Sequence, residues 1–206
     1  MMKLHTGLGP NPRVVRMFLA EKGVEIPLVQ VDLMSGENRR APYTEKNPAG
    51  QLPCLELDDG TCVAEILPNC EYIEEKHPTP ALVGRTAEER AVTRMWARRI
   101  DLNIVEPMAN GFRYAEGLML FKDRIHTIPQ AADDLKAIAR EKLAWLDGFM
   151  NGNQFIAGSR FTLADIFLFA FLDFGRTVGQ PLDPTLRWVS GWFERVAARP
   201  SAVASK

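Results

Sequence analysis

The chain lacks most of the features that assign a sequence to a class at a glance. It has no basic excess: 25 Lys and Arg stand against 26 Asp and Glu, a formal net charge of −1. Neither the footprint of a nucleic-acid binder nor a like-charge tail is present. It has no long apolar run. The longest, Ile166 to Leu172, is bounded by Asp165 and Asp173; it is too short for a bilayer, so no membrane partner is expected. Met1-Met2-Lys3 leads straight into strand-like residues, without an apolar signal region. Cysteine is scarce and odd in number. Cys54, Cys62 and Cys70 form no metal-ligand spacing, so no metal is expected, and any pairing leaves one thiol over. A cytoplasmic location is the simplest fit. There is no internal repeat and no low-complexity segment. What is abundant is apolar side chain, 46% of 206 residues, enough for a sizeable core in one or two domains.

The first half reads as β-α-β-α-β-β-α. Met2 to Thr6 is a short strand and Gly7 to Pro10 a loop. Asn11-Pro12 opens a helix, Asn as cap and Pro at the first helical position. Val14, Val15, Phe18 and Leu19 recur at helical spacing until Gly23 stops the helix. Val29, Val31 and Leu33 alternate with polar residues as a half-buried strand. Ser35 to Glu45 is loop and weak helix. Asn47 to Ile66 then combines a turn, Pro53 at a strand's mouth, and two short strands around Asp59-Gly60, whose pattern predicts a type I′ hairpin with positive φ at both centres. A helix follows to Lys76. Two βα units, a hairpin and a closing helix predict a mixed sheet covered by helices.

His77 to Gly84 carries two further prolines and a glycine and reads as a linker. Everything later is helical. Thr86 with Glu89 and Thr162 with Asp165 are capping boxes. The first helix bends or ends near Pro107; another runs from about Gln130 to Met150. The one after Thr162 is nearly all apolar to about Phe174 and is expected at the centre of its domain. Arg199-Pro200 ends the last helix. The expected domains are 1–77, α/β; 78–85, linker; and 86–206, all-α.

Three features carry chemistry. Leu52-Pro53 is either a trans proline opening an edge strand or a cis pair that turns the backbone of Leu52 outward, to meet an extended peptide ligand as a strand would. Glu65-Ile66 stands at a helix start, where free N–H groups attract a carboxylate; Glu65 either offsets the dipole or accepts a bond from a ligand amine. Cys54 is either a reactive thiol or a buried strand cysteine.

Taken together, the element order, Leu52-Pro53 before an Asp-Gly hairpin and an acid at the next helix start resemble the thioredoxin-like domain of cytosolic glutathione S-transferases. Thr162-Leu163-Ala164-Asp165, Phe155-Ile156-Ala157-Gly158 before it, and Ala198-Arg199-Pro200-Ser201 resemble their all-helical domain, so the resemblance covers essentially the whole chain. It implies a bacterial-type member of no clear Tyr, Ser or Cys class, with some nu-like character in Pro10-Asn11. It implies glutathione as co-substrate, with Leu52 and Pro53 on the cysteinyl unit, Glu65 on the γ-glutamyl amine, Ile66 on its carboxylate, Arg39 or Arg40 at the glycyl carboxylate, and Gln51 assisting. Ile66 departs from the usual Ser or Thr and keeps only its N–H. Activating the thiol requires lowering its pKa from near 8.5. The resemblance places Thr6 at the tyrosine position, side-chain-less Gly9 at the serine position, and Asn11 at the position of a beta-class cysteine. Asn11 is the first candidate donor and Thr6 the reserve. Met108, Phe112 and Tyr114 would line a pocket for a small hydrophobic electrophile or a disulfide. A homodimer is implied; a non-catalytic binding or dimerisation protein on the same fold is the alternative.

Overall fold

The structure, a computed structural model, describes residues 1–206. The chain forms two compact units: residues 1–85 together with 200–206, and residues 86–199. Residues 200–206 therefore group with the sheet and not with the helices that precede them.

In the first unit the elements are β1 (Lys3–Thr6), α1 (Pro10–Lys22), β2 (Leu28–Gln30), a 3-10 turn (Glu37–Arg39), α2 (Tyr43–Lys46), β3 (Cys54–Glu56), β4 (Cys62–Ala64) and α3 (Ile66–Lys76). The sheet order is β2-β1-β3-β4. β1 runs parallel to β2 and antiparallel to β3, and β4 is antiparallel to β3. This is the mixed sheet expected from the element order and the thioredoxin-like arrangement that the resemblance implies. Leu4 and Leu55 face each other in register and are fully buried, as are Val14, Val15 and Phe18 of α1 and Ile73 of α3. Side chains alternate along a strand, so His5 and Cys54 occupy the opposite face. There Val31, Tyr43, Leu52 and Cys54 form a second small core with Leu33 and Cys62 packed against it.

Several local expectations change. α1 begins at Pro10, with Gly9 before it at φ 106 and no side-chain cap. Proline at the first helical position supplies the helical φ itself, so Asn11 sits inside the first turn and caps nothing. Gly23 closes the helix in the left-handed conformation, at φ 62, as expected. The hairpin is not type I′. Gly60 is at φ 87 while Asp59 stays at negative φ. Gly60 N–H donates to Leu57 O at 3.0 Å, Leu57 N–H to Thr61 O at 2.8 Å, and Asp59 Oδ1 accepts from Thr61 N–H at 2.9 Å. This is a three-residue loop, a turn followed by a left-handed glycine; the second aspartate, Asp58, lengthens the connection. β2 stops at Gln30 because Asp32 turns the chain, its Oδ1 accepting from Met34 and Ser35 N–H.

The segment read as a linker is firmly held. The Glu74 carboxylate accepts from the N–H groups of Leu82, Val83 and Gly84 at 3.1, 2.9 and 3.2 Å. Lys22 Nζ pairs with Glu74 and donates to the carbonyls of His77 and Pro80.

The second unit is helical. α4 (Ala87–Ile100) passes through a π turn (Asp101–Val105) directly into α5 (Glu106–Arg113). Pro107 has no N–H to return to the preceding turn, and the widened turn absorbs the mismatch where a bend was expected. α6 (Leu118–Phe121) and α7 (Ala132–Phe149) follow, then α8 (Leu163–Thr177), α9 (Arg187–Ala197) and α10 (Pro200–Ala204). Pro200 thus starts a short helix, the one that groups with the first unit. Thr162 and Asp165 form the capping box, and α8 is the buried centre, as its composition predicts. Asp165 is fully buried and accepts from Ile156 N–H, Thr162 N–H, Thr162 Oγ1 and Trp192 Nε1. Burial pushes its carboxyl up to about 6 against those donors. No helix is long and apolar enough to cross a membrane.

Candidate active site

The approach to Leu52 is built by side chains bonding to backbone. Asn38 Nδ2 donates to Gly50 O at 2.6 Å, and Tyr43 Oη and Asn47 Nδ2 both donate to Gln51 O, at 2.5 and 2.8 Å. Gly50 is at φ 62, and a Cβ there would lie 2.8 Å from Asn38 O, so only glycine fits. Leu52 is buried, the Leu52-Pro53 bond is cis, and the ladder starts two residues later at Cys54.

The β3–β4 register sets Cys54 opposite Ala64. Pro53 and Glu65 therefore emerge together at the open end of the hairpin. Glu65 precedes α3 with φ 72 and ψ 145 and is the one non-glycine residue at positive φ. Such a conformation costs about 1–3 kcal/mol and persists where the surroundings impose it. Here the surroundings are visible: the hairpin fixes one side, and on the other Asn69 donates to Glu65 O through both its N–H, at 3.2 Å, and its Nδ2, at 2.7 Å. The Glu65 side chain is exposed. In the first turn of α3, Ile66 and Leu67 carry the open N–H groups, since Pro68 has none. The Ile66 side chain is turned inward, 9% exposed.

Arg39 and Arg40 separate. Arg39 Nη1 donates to Ala49 O at 3.0 Å, lying along the turn that leads into Gln51 and Leu52. Arg40 Nη2 donates to Ser35 O at 3.1 Å, on the loop side. Both are exposed, as is Gln51.

Across from the hairpin, the loop after β1 approaches Leu52 closely. A Cβ on Gly7 would meet Val31 O at 2.7 Å and Leu52 Cδ1 at 3.0 Å. Thr6 is fully buried and its Oγ1 accepts from Arg16 Nη1 at 2.8 Å, which takes it away from any ligand thiol outside the core. Asn11 is half-buried at the second position of α1. Pro10 and Pro12 on either side have no N–H, so Asn11 supplies the donors of this turn by backbone and side-chain amide alike.

The remaining candidates fall elsewhere. Cys54 is fully buried, and burial, then the neighbouring Cys62, pushes its thiol up to about 12; it is a packed strand cysteine. In the second unit Met108 is 4% exposed and packs directly on Gly175 of α8. It belongs to that unit's core, because Gly175 leaves the space that its thioether fills. Phe112 is half-buried in edge-to-face contact with Phe121 and Phe174, at centroid distances of 6.1 and 5.0 Å. Tyr114 is also half-buried. Asn38, Tyr43 and Asn47 escaped the sequence reading because their partners are backbone carbonyls that only the fold brings near, and Arg16 because it meets the Thr6 hydroxyl together with the carbonyls of Gly7 and Ser205.

Residues 9–76 match the family description "Glutathione S-transferase, N-terminal domain", and residues 113–200 match "Glutathione S-transferase, C-terminal domain". The chain belongs to the glutathione S-transferase family. The first match contains Asn11, Leu52, Pro53 and Glu65, and the second contains the capping box of α8. Similarity extends over nearly the whole transferase fold. The chain is 30% identical over 203 residues to glutathione S-transferase 2 of Saccharomyces cerevisiae, covering 98% of this chain and 87% of that one. A solved structure of a glutathione S-transferase domain-containing protein from Marinobacter aquaeolei is 37% identical, with TM-score 0.91 over 97% of this chain and 98% of that one. A maleylacetoacetate isomerase of Pseudomonas aeruginosa is 30% identical over 191 residues, 91% of this chain and 86% of its own. The family thus includes relatives named for different reactions.

Proposed function

We propose that the protein is a glutathione transferase that binds glutathione at the open end of the β3–β4 hairpin and uses its thiolate on a small hydrophobic electrophile or a disulfide. The observation that carries this reading is Glu65, held at positive φ beside Pro53 at the start of α3. The backbone of Leu52 meets the cysteinyl unit as a strand partner. The N–H groups of Ile66 and Leu67 receive the γ-glutamyl carboxylate at the helix N-terminus, the Glu65 carboxylate holds the amine, and Arg39 with Gln51 serves the glycyl end. Asn11 donates its amide to the sulfur, and the positive end of α1 favours the thiolate. The thiolate attacks the electrophilic carbon, the new C–S bond forms, and the leaving group departs with the bonding electrons. With a disulfide, it displaces one sulfur and leaves a mixed disulfide. The working form is a homodimer in the cytoplasm.

Asn11→Ala should lower kcat with glutathione by about 10- to 100-fold, the loss of one donor to a developing anion. Rates on an aryl halide and on hydroxyethyl disulfide then separate conjugation from reduction. Unchanged rates on both would remove Asn11 from the mechanism. A second reading, binding without turnover, is favoured by Gly9, which has no side chain, and by the inward-turned Ile66. Calorimetric titration showing an apolar ligand bound tightly, and no heat with millimolar glutathione, would establish it instead.

A further inference from the structure

One side chain touches the loop of the proposed thiol site and the far end of the sequence together. Arg16, on the second turn of α1, donates from Nη1 to Thr6 Oγ1 at 2.8 Å and to Gly7 O at 3.2 Å, and from Nε to Ser205 O at 3.1 Å. All three acceptors are uncharged. The guanidinium is a planar fork of donors, so these bonds fix the relative placement of strand end, loop and segment 200–206.

The segment is itself anchored independently. Arg13 donates to Ser205 Oγ at 3.4 Å and Ala202 O at 3.2 Å, and Ser201 Oγ donates to Glu21. Ser201, Ala202 and Ser205 are 5%, 2% and 0% exposed. On the other side of Arg16, Gly7 is packed so closely on Val31 O and Leu52 that no Cβ would fit. A continuous line of contacts therefore runs Ser205, Arg16, Gly7, Leu52.

We propose that Arg16 is a positioning residue for the loop Gly7–Asn11, and that segment Pro200–Lys206 completes its setting and so tunes thiol activation from the other end of the sequence. The inference rests on the reading of Asn11 and Leu52 as the glutathione site. Arg16 does not touch the ligand. It ties the loop that leads from Gly7 into the first turn of α1, where Asn11 stands, to the body of that helix, and a displacement of about 1 Å at a reacting group can cost up to a hundredfold in rate.

The test compares full-length Arg16→Met, Arg16→Lys and Ala202→Glu, which lifts the segment without shortening the chain, with a deletion of Ser201–Lys206. Three quantities are read: kcat at saturating glutathione with an aryl halide, the pH at which bound glutathione ionises (from thiolate ultraviolet absorbance), and amide exchange at Gly7–Asn11. Arg16→Met should lower kcat about tenfold, shift ionisation to higher pH and speed exchange in the loop. Ala202→Glu and the deletion should do the same, and neither should add to Arg16→Met. Arg16→Lys should recover only part, since it keeps the charge and loses the fork. Full recovery by lysine, or folded variants that melt earlier with all three quantities unchanged, overturns the proposal. If the wild-type protein binds no glutathione, the proposed function fails, and exchange at Gly7–Asn11 alone decides whether Arg16 and the segment hold the loop.

Discussion

Ile66 is where the core and the proposed site make opposite demands on one residue. As the first residue of α3 it is 9% exposed and contributes its side chain to packing, while the ligand end would gain from a hydroxyl. Ile66→Ser should tighten glutathione binding about tenfold, within the range of one hydrogen bond to a charged group. The same change should lower stability by about 1–3 kcal/mol through lost burial. Titration calorimetry and denaturant unfolding read the two effects separately; unchanged affinity would mean that the carboxylate does not sit at the start of α3. Glu56 bears on stability through three cationic or imidazole partners. Lys46, then His5 and Lys3, donate to its carboxylate at 2.9, 2.8 and 3.0 Å and hold it down at about 2. A folded value below the ordinary 4.5 means that this stabilisation is present above about pH 4.5 and is lost as pH falls toward 2. Glu56→Gln should therefore flatten the fall in melting temperature across that acid window, with no effect on its shape near neutrality.

Among elements, the Lys22–Glu74 pair joins the end of α1 to α3 and to the chain leaving the sheet unit. Both side chains are almost fully buried, at 0% and 4% exposure. Glu74 also serves three backbone N–H groups and Lys22 two carbonyls. Removing one partner leaves the other charged and buried, which typically costs about 3–5 kcal/mol. Lys22→Met and Glu74→Leu should each show a loss of that order in urea unfolding, and the double variant less than their sum. Simple addition would mean that the two charges do not depend on each other. The proline-rich stretch read as a linker is held in place by these bonds. Composition signals a break in helix; it does not reveal a carboxylate waiting below.

For the whole molecule, the surface of the helical unit bears on assembly. Val92 and Met95 of α4, with Ile138, Trp145 and Phe149 of α7, are 39%, 39%, 42%, 46% and 59% exposed. Trp145 and Phe149 stack at 5.6 Å over Trp96 beneath. Exposed apolar side chains of this kind are what an interface between copies would cover, and they support the homodimer proposed above. Sedimentation should find a dimer that Trp145→Glu with Phe149→Glu converts to monomer; a dimer surviving that double change would place the interface elsewhere.

Much of this was readable from the sequence because the rules that govern it are local. Proline and glycine set the turns and the start and stop of α1, the Thr162-Asp165 spacing caps α8, and alternation separates the two faces of the sheet. That was sufficient for the element order and the mixed sheet, and, with the resemblance to glutathione S-transferases, for the thioredoxin-like and all-helical halves and the hairpin end where Leu52, Pro53 and Glu65 meet. What tertiary structure alone decided concerns partners distant in sequence. It turned Thr6 into the core against Arg16, chose Arg39 over Arg40 for the turn before Leu52, buried Met108 on Gly175, and returned residues 200–206 to α1. Each outcome depends on a carbonyl, carboxylate or cavity that exists only once the chain has folded. No spacing rule reaches across the 189 positions between Arg16 and Ser205.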